Sequence, residues 1–150
     1  MSANIDITAD PVSWLISKLS GTIYDSTSSS VLIKASWLLN LSEVPSVTVY
    51  RKTSTYQWLS LAGTSTAKKR CYTILGLRVW AKNPLDKFTI AKNLHTTIHS
   101  NAKAWKDTTT NLVWIDVKTE RGMDEPQRIP PLYSIDVDTE LIYDEDITFT

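Results

Sequence analysis

A single cysteine, Cys71, is the first constraint in this 150-residue chain. It excludes an internal disulfide, and with only two histidines it also excludes a Cys/His zinc cluster of the usual kind. Cysteine scarcity of this sort fits a reducing cytoplasm. Four scattered glycines cannot build a glycine-rich phosphate loop, and no G-x-S-x-G elbow is present, so conventional nucleotide chemistry and serine hydrolysis are not expected. Sixteen basic and sixteen acidic residues cancel to a net charge of zero. A neutral chain has no overall field to draw it onto DNA, RNA or anionic lipid, and the only local basic run is Lys68, Lys69 and Arg70. No apolar run approaches the roughly 18 residues of a membrane span. "MSANIDITAD" has no basic region leading into an apolar core. The expectation is a soluble protein made in the cytoplasm, with no membrane partner.

What is present is 42% hydrophobic content, enough for one compact domain over residues 1–150. In "DPVSWLISKLSG", Asp10 is placed to cap, Pro11 fits the first helical position, and Val12, Leu15, Ile16 and Leu19 form a stripe that Gly21 ends. "VLIKASWLLNLS" reads as a strand, and "VPSVTVYRK" as another by its β-branched content. The Ser/Thr-rich stretch from Lys52 to Lys69, interrupted by "YQWLSLAG", reads as a long hairpin or a mobile loop carrying a short strand. "KRCYTILGLRVWAKN" is a long strand that sets Cys71, Thr73, Leu75, Leu77 and Val79 against Arg70, Tyr72, Ile74, Arg78 and Trp80. A second helix then starts at Pro84, with Leu85, Phe88, Ala91, Leu94, Ile98 and Ala102 as its apolar stripe. "NLVWIDVKTERG" and "YSIDVDTELIYDED" complete a long C-terminal β-hairpin. The fold class expected is α+β: a mainly antiparallel sheet with two helices packed on one face.

Three constellations invite chemistry. His95 and His99 stand four apart on the second helix, a zinc-binding spacing, but the intervening "TTI" holds no glutamate base and no third ligand is evident. Two exposed helix-surface histidines are the plainer account, and no metal is expected. Asp107, Asp116 and Lys118 form a D-x-K pattern with an upstream acid, as a metal-dependent nuclease would use. A strand whose polar face reads Trp114, Asp116, Lys118 and Glu120 explains the same residues. Asp136, Asp138 and Glu140 alternate with Ile135, Val137, Thr139 and Leu141 on the last strand. Same-face neighbours on a strand lie roughly 6.6 to 6.8 Å apart. The three carboxylates therefore diverge, and a solvated or interface-facing acidic row is expected in place of a metal site.

Six tryptophans are not all explained by a core. Trp80 and Trp114 fall on strand faces shared with Tyr72, Arg78, Asp116 and Lys118, and aromatics among charges suit a protein interface. Taken together, the helix at Asp10, the strand near "PSVTVYR", the strand "RCYTILGLRVWAKN" running into "PLDKFTIAKNLHTTIHSNAKAW", and the hairpin "LVWIDVKTERGMDEPQRIPPLYSIDVDTELIY" resemble the tail terminator, or tail-completion, proteins of long-tailed bacteriophages and related archaeal viruses. The resemblance is one of element order, length and character, over about Asp10 to Tyr143. It implies a structural virion protein of the tail neck, assembled in the host cytoplasm as a homo-oligomeric ring, typically a hexamer. Such a ring caps the tail tube protein, stops its growth and meets the head-side connector protein, while DNA passes through the lumen without specific binding. It implies no catalytic residue, cofactor or metal.

Within that reading, Tyr72, Arg78, Trp80 and Trp114 are expected at the subunit interface. Asp136, Asp138 and Glu140 are expected to line the lumen or meet a neighbour's Lys or Arg. Lys52, Tyr56, Trp58, Lys68 and Lys69 are expected on a loop contacting tube or connector. The rival assignments are another neck component, such as a head-closure protein, and the nuclease.

Overall fold

The computed structural model describes residues 5–35, 43–60, 65–122, 124 and 131–149. Helix α1 spans Pro11–Leu19 and strand β1 spans Leu32–Ala35. Strands β2 and β3 run over Ser46–Ser60 and Thr66–Ala81, helix α2 over Pro84–Thr108, and strands β4 and β5 over Leu112–Gly122 and Tyr133–Thr148. The class is α+β, with two helices and a five-stranded mixed sheet of order β1-β2-β3-β5-β4. β1 runs parallel to β2, whereas β2, β3, β5 and β4 pair antiparallel in turn.

Both helices start where capping chemistry dictates. Asp10 accepts from the Ser13 amide at 3.0 Å, and Asn83 accepts from the Asp86 amide at 2.9 Å. Each is followed by proline, whose missing N–H falls where no helical partner exists. α1 buries Pro11, Trp14, Leu15 and Leu19, while Val12 and Ile16 pack at the rim of the core. The inward row of β3, Cys71, Leu75, Leu77 and Val79, joins Ile135, Val137, Leu141 and Tyr143 of β5 under the two helices. The alternation read in both strands is therefore the face assignment observed. Inside the core, Trp14 and Trp105 meet edge to face at 6.0 Å between centroids, joining α1 to the last turn of α2.

α2 corrects one expectation. Its buried side is Lys87, Ile90, Ala91, Leu94, Ile98, Ala102 and Trp105, whereas Leu85 and Phe88 are 66% and 59% exposed. An α-helix turns about 3.6 residues per cycle, so Leu85, nine residues before Leu94, lies about two and a half turns away, on the opposite side. The run 85, 88, 91, 94 at a spacing of three drifts around the helix and is no stripe. Lys87 takes the inward position, and its ammonium reaches Asp124 at 2.9 Å while its stem is buried.

Of the two readings of the segment between Lys52 and Lys69, the antiparallel pairing is that of the long hairpin and not of a short strand in a loop. β2 continues to Ser60 and β3 begins at Thr66, paired from Ser46↔Trp80 to Ser60↔Lys68, with register shifts between Arg51 and Thr53 and between Trp58 and Ser60. Thr, Tyr and Trp supply the β-propensity that the small polar residues mask. Among the described residues β1 meets β2 over Ser46–Val49, and β4 leaves β5 at Tyr143. Beyond the core, β2, β3 and β5 therefore continue as a three-stranded arm. Residues 36–42 of the "VLIKASWLLNLS" reading lie outside the described residues, and Leu32–Ala35 is strand.

Candidate functional site

The sheet face opposite the helices carries a polar network centred on Asp136. Register places Thr48, Arg78, Asp136 and Arg121 in one row across the sheet and Tyr50, Gly76, Asp138 and Thr119 in the next. Arg78 Nη2 donates to Asp136 Oδ2 at 2.9 Å, and Tyr50 donates its hydroxyl at 2.8 Å. Lys52 Nζ lies 3.2 Å from Asp136 Oδ2 and 2.6 Å from Asp138 Oδ1. Lys52 is the extra residue between the paired Arg51 and Thr53, and its ammonium joins the same network. Asp136 itself is only 4% exposed. Burial alone pushes its carboxyl up, but the hydrogen bonds from Arg78, Tyr50 and Lys52 outweigh that and hold it below the usual carboxylate range. Burial pushes the Tyr50 hydroxyl up, and Asp136 adds to the effect.

Gly76 lets this network form. A Cβ on Gly76 would stand 2.4 Å from the Tyr50 ring, so the ring occupies the space a side chain would take. Asp136, Asp138 and Glu140 share one face, as the alternation requires, yet they are no bare acidic row. Asp136 meets Arg78 and Lys52, Asp138 meets Lys52 and the Thr119 hydroxyl, and Glu140 has Lys118 at 3.6 Å. Cations and a hydroxyl on neighbouring strands of the same chain thus meet all three carboxylates.

The four expected interface residues separate. Tyr72, Ile142 and Trp114 form one row on the open sheet face, and Trp114 is exposed. Arg78 is committed to Asp136 within the chain. Trp80 is 7% exposed: it packs with Val44 and Leu132, and its indole donates to Thr48 Oγ1 at 3.0 Å. The segments entering β2 and β5 close over this end of the outer face, a long-range event that strand alternation does not encode. Trp80 is therefore a core residue of a second, small cluster and not an exposed anchor.

The expected contact loop is a strand surface. Tyr56, Trp58 and Lys69 come together on the helix-side face of the arm, with Lys69 Nζ 4.6 Å from the Tyr56 ring centre and 5.0 Å from that of Trp58. Phe149, which the sequence reading missed, lies 6.2 Å from Trp58. Tyr56 and Trp58 are 52% and 42% exposed, and Leu59 and Phe149 are exposed as well. Lys68 points to the other face towards Asp146 at 3.9 Å, and Lys52 belongs to the Asp136 network, so only three of the five expected residues share one surface.

On the opposite side of the molecule, His95 and His99 stack edge to face at 4.4 Å and each reaches a β4 carboxylate. His95 Nδ1 lies 3.0 Å from Glu120 and His99 Nε2 lies 3.1 Å from Asp116. Lys118 sits 3.5 Å from Asp116, and Asp107 falls in the last turn of α2. Among the described residues no group of three or more His, Cys, Asp or Glu side chains is placed to hold a metal ion, so Asp107 and Asp116 form no such centre. Among those residues, too, no helix is long and apolar enough to cross a membrane. No family model matches the sequence, and no curated protein matches it significantly.

Proposed function

We propose that the chain is a ring-forming tail terminator: a structural virion protein that caps the tail tube, ends its growth and joins it to the head-side connector. In this reading the sheet is mainly antiparallel, with β4 and β5 as its long C-terminal β-hairpin. The observation that carries the proposal is the three-stranded arm. It exposes Tyr56, Trp58, Leu59 and Phe149 together, and β2 from Arg51 to Ser60 pairs with no strand on its outer edge among the described residues. A long unpaired edge beside clustered aromatics is a surface that soluble monomers avoid and assemblies use. The element order, with a long strand running directly into a long helix, supports the same reading.

The open face of the sheet, with Tyr72, Ile142 and Trp114, is a second surface available to tube or connector. DNA would pass without specific contact, in keeping with a face whose carboxylates are paired at home. The test is the length of tail tubes polymerised with and without the purified chain. Tubes arrested at a fixed length, each ending in one ring of this protein, are expected; unchanged tube length would overturn the assignment.

A further inference from the structure

The arm needs a receiving surface, and the same chain carries one. Leu85 and Phe88, on the first turns of α2, are a second pair of large exposed apolar side chains. Phe88 borders a cleft of about 470 Å³ whose further walls are Ala91, Lys92, His95, Thr96 and Glu120. The two surfaces stand well apart along one strand. Glu120 pairs with Val137, and Val137 pairs with Leu77 of β3. The cleft is therefore level with a point eight residues along β3 from Lys69, roughly 26 Å at about 3.3 Å per residue.

Charge also matches. Lys69 is half-buried between two rings, and its cross-strand neighbour Glu145 has its carboxylate by the Cys71 thiol and forms no ion pair with it. Glu120 has His95 as its only partner among those residues, with no lysine or arginine upon it. A protruding apolar group on one part of a molecule and a pocket on another define a heterologous contact, which repeats into a ring or a filament.

We infer that the arm of one copy docks on the next copy of this chain, with Trp58 entering the Phe88 cleft and Lys69 meeting Glu120. The inference rests on the ring reading and names its intersubunit contact; the arm then serves the neighbouring subunit instead of the tube. Four exposed aromatic or aliphatic side chains on the arm, with Phe88 at the cleft and Leu85 one turn before it, supply the anchor cluster such contacts require.

The test is cross-linking between two variants that keep Trp58 and Phe88, Leu59→Cys on the arm and Lys92→Cys in the cleft wall, mixed in equal amounts under a mild oxidant. The native Cys71 is buried and stays out of the reaction. A disulfide-linked pair containing one copy of each variant is expected, with neither variant cross-linking alone. Self-linking of Leu59→Cys would show arm-to-arm association and overturn the inference, as would no cross-link in the mixture. Lys69→Glu and Glu120→Lys provide an independent arm: each alone should weaken self-association at least about tenfold, and the two together should restore it. Failure of the double reversal to restore association overturns the contact. Rings that persist without the cross-link would refute this contact and leave the ring reading standing. A chain that stays monomeric at every concentration, with and without tail tubes, would refute both.

Discussion

Asp136 is a buried carboxylate held by three partners from two other strands. Removing its charge takes from Arg78, whose side chain is 11% exposed, the carboxylate it meets at 2.9 Å. Breaking a buried ion pair by removing one partner typically costs about 3–5 kcal/mol. Asp136→Asn is expected to destabilise the fold by that order, read as a lower urea midpoint at pH 7. The pH dependence has a definite sign. The folded carboxyl titrates below its unfolded value of about 3.9, so its stabilisation is complete above that pH and is lost as pH falls through the lower folded value. The unmodified chain should therefore lose stability on acidification more steeply than Asp136→Asn, in which Asp10 and Asp25, also held low by their hydrogen bonds, still titrate; parallel profiles would show that the network contributes nothing.

Gly76 makes a second prediction at this scale. Gly76→Ala forces the Tyr50 ring off its place, and with it the hydrogen bond to Asp136, at a cost of about 1–3 kcal/mol. In a Tyr50→Ala background the same substitution meets no ring, so most of the cost should vanish. A double-mutant cycle showing simple additivity would contradict the contact.

Among the elements, β3 and β5 were readable because each alternates between a buried face and a polar one, and period two leaves no ambiguity of side. The phase of α2 was misread at its start, since Leu85 and Phe88 are apolar at a near-helical spacing and yet point away from the sheet. This difference is measurable. Ile98→Ala should cost about 2–5 kcal/mol because it empties the core, whereas Phe88→Ala in the monomer should fall within about 0.5 kcal/mol of the parent. Equal losses would restore the original stripe.

Trp80 was placed on the correct face, but nothing local reveals that Val44 and Leu132 cover it. Trp80→Ala is expected to unfold the chain partly, at about 3–5 kcal/mol. Trp114→Ala, on an exposed side chain, should leave stability nearly unchanged. The ion pairs of the acidic row were equally illegible, because partner choice depends on which strand lies beside β5. Register sets Arg78 opposite Asp136, and the bulge at Lys52 brings a second cation within reach.

At the scale of the whole molecule, the helices cover one face of the sheet, and the arm runs past the core with its aromatics uncovered. Apolar clusters of this kind are stabilised by a partner that removes them from water. The arm and the Phe88 cleft lie too far apart along β3 to satisfy each other within one chain, so a second copy is the natural recipient. Cutting an anchor aromatic at such a contact commonly costs about 2 kcal/mol or more, and a ring subunit makes two contacts. Trp58→Ala should therefore shift the chain from ring to monomer while its circular dichroism and urea midpoint stay those of the parent.

The most direct measurement is the sedimentation mass of the unmodified chain across a range of concentrations, alone and with tail tubes. One discrete closed multiple of the 16.9 kDa subunit, a hexamer, is predicted, bound at tube ends when tubes are present. A mass of one subunit in both conditions would contradict it.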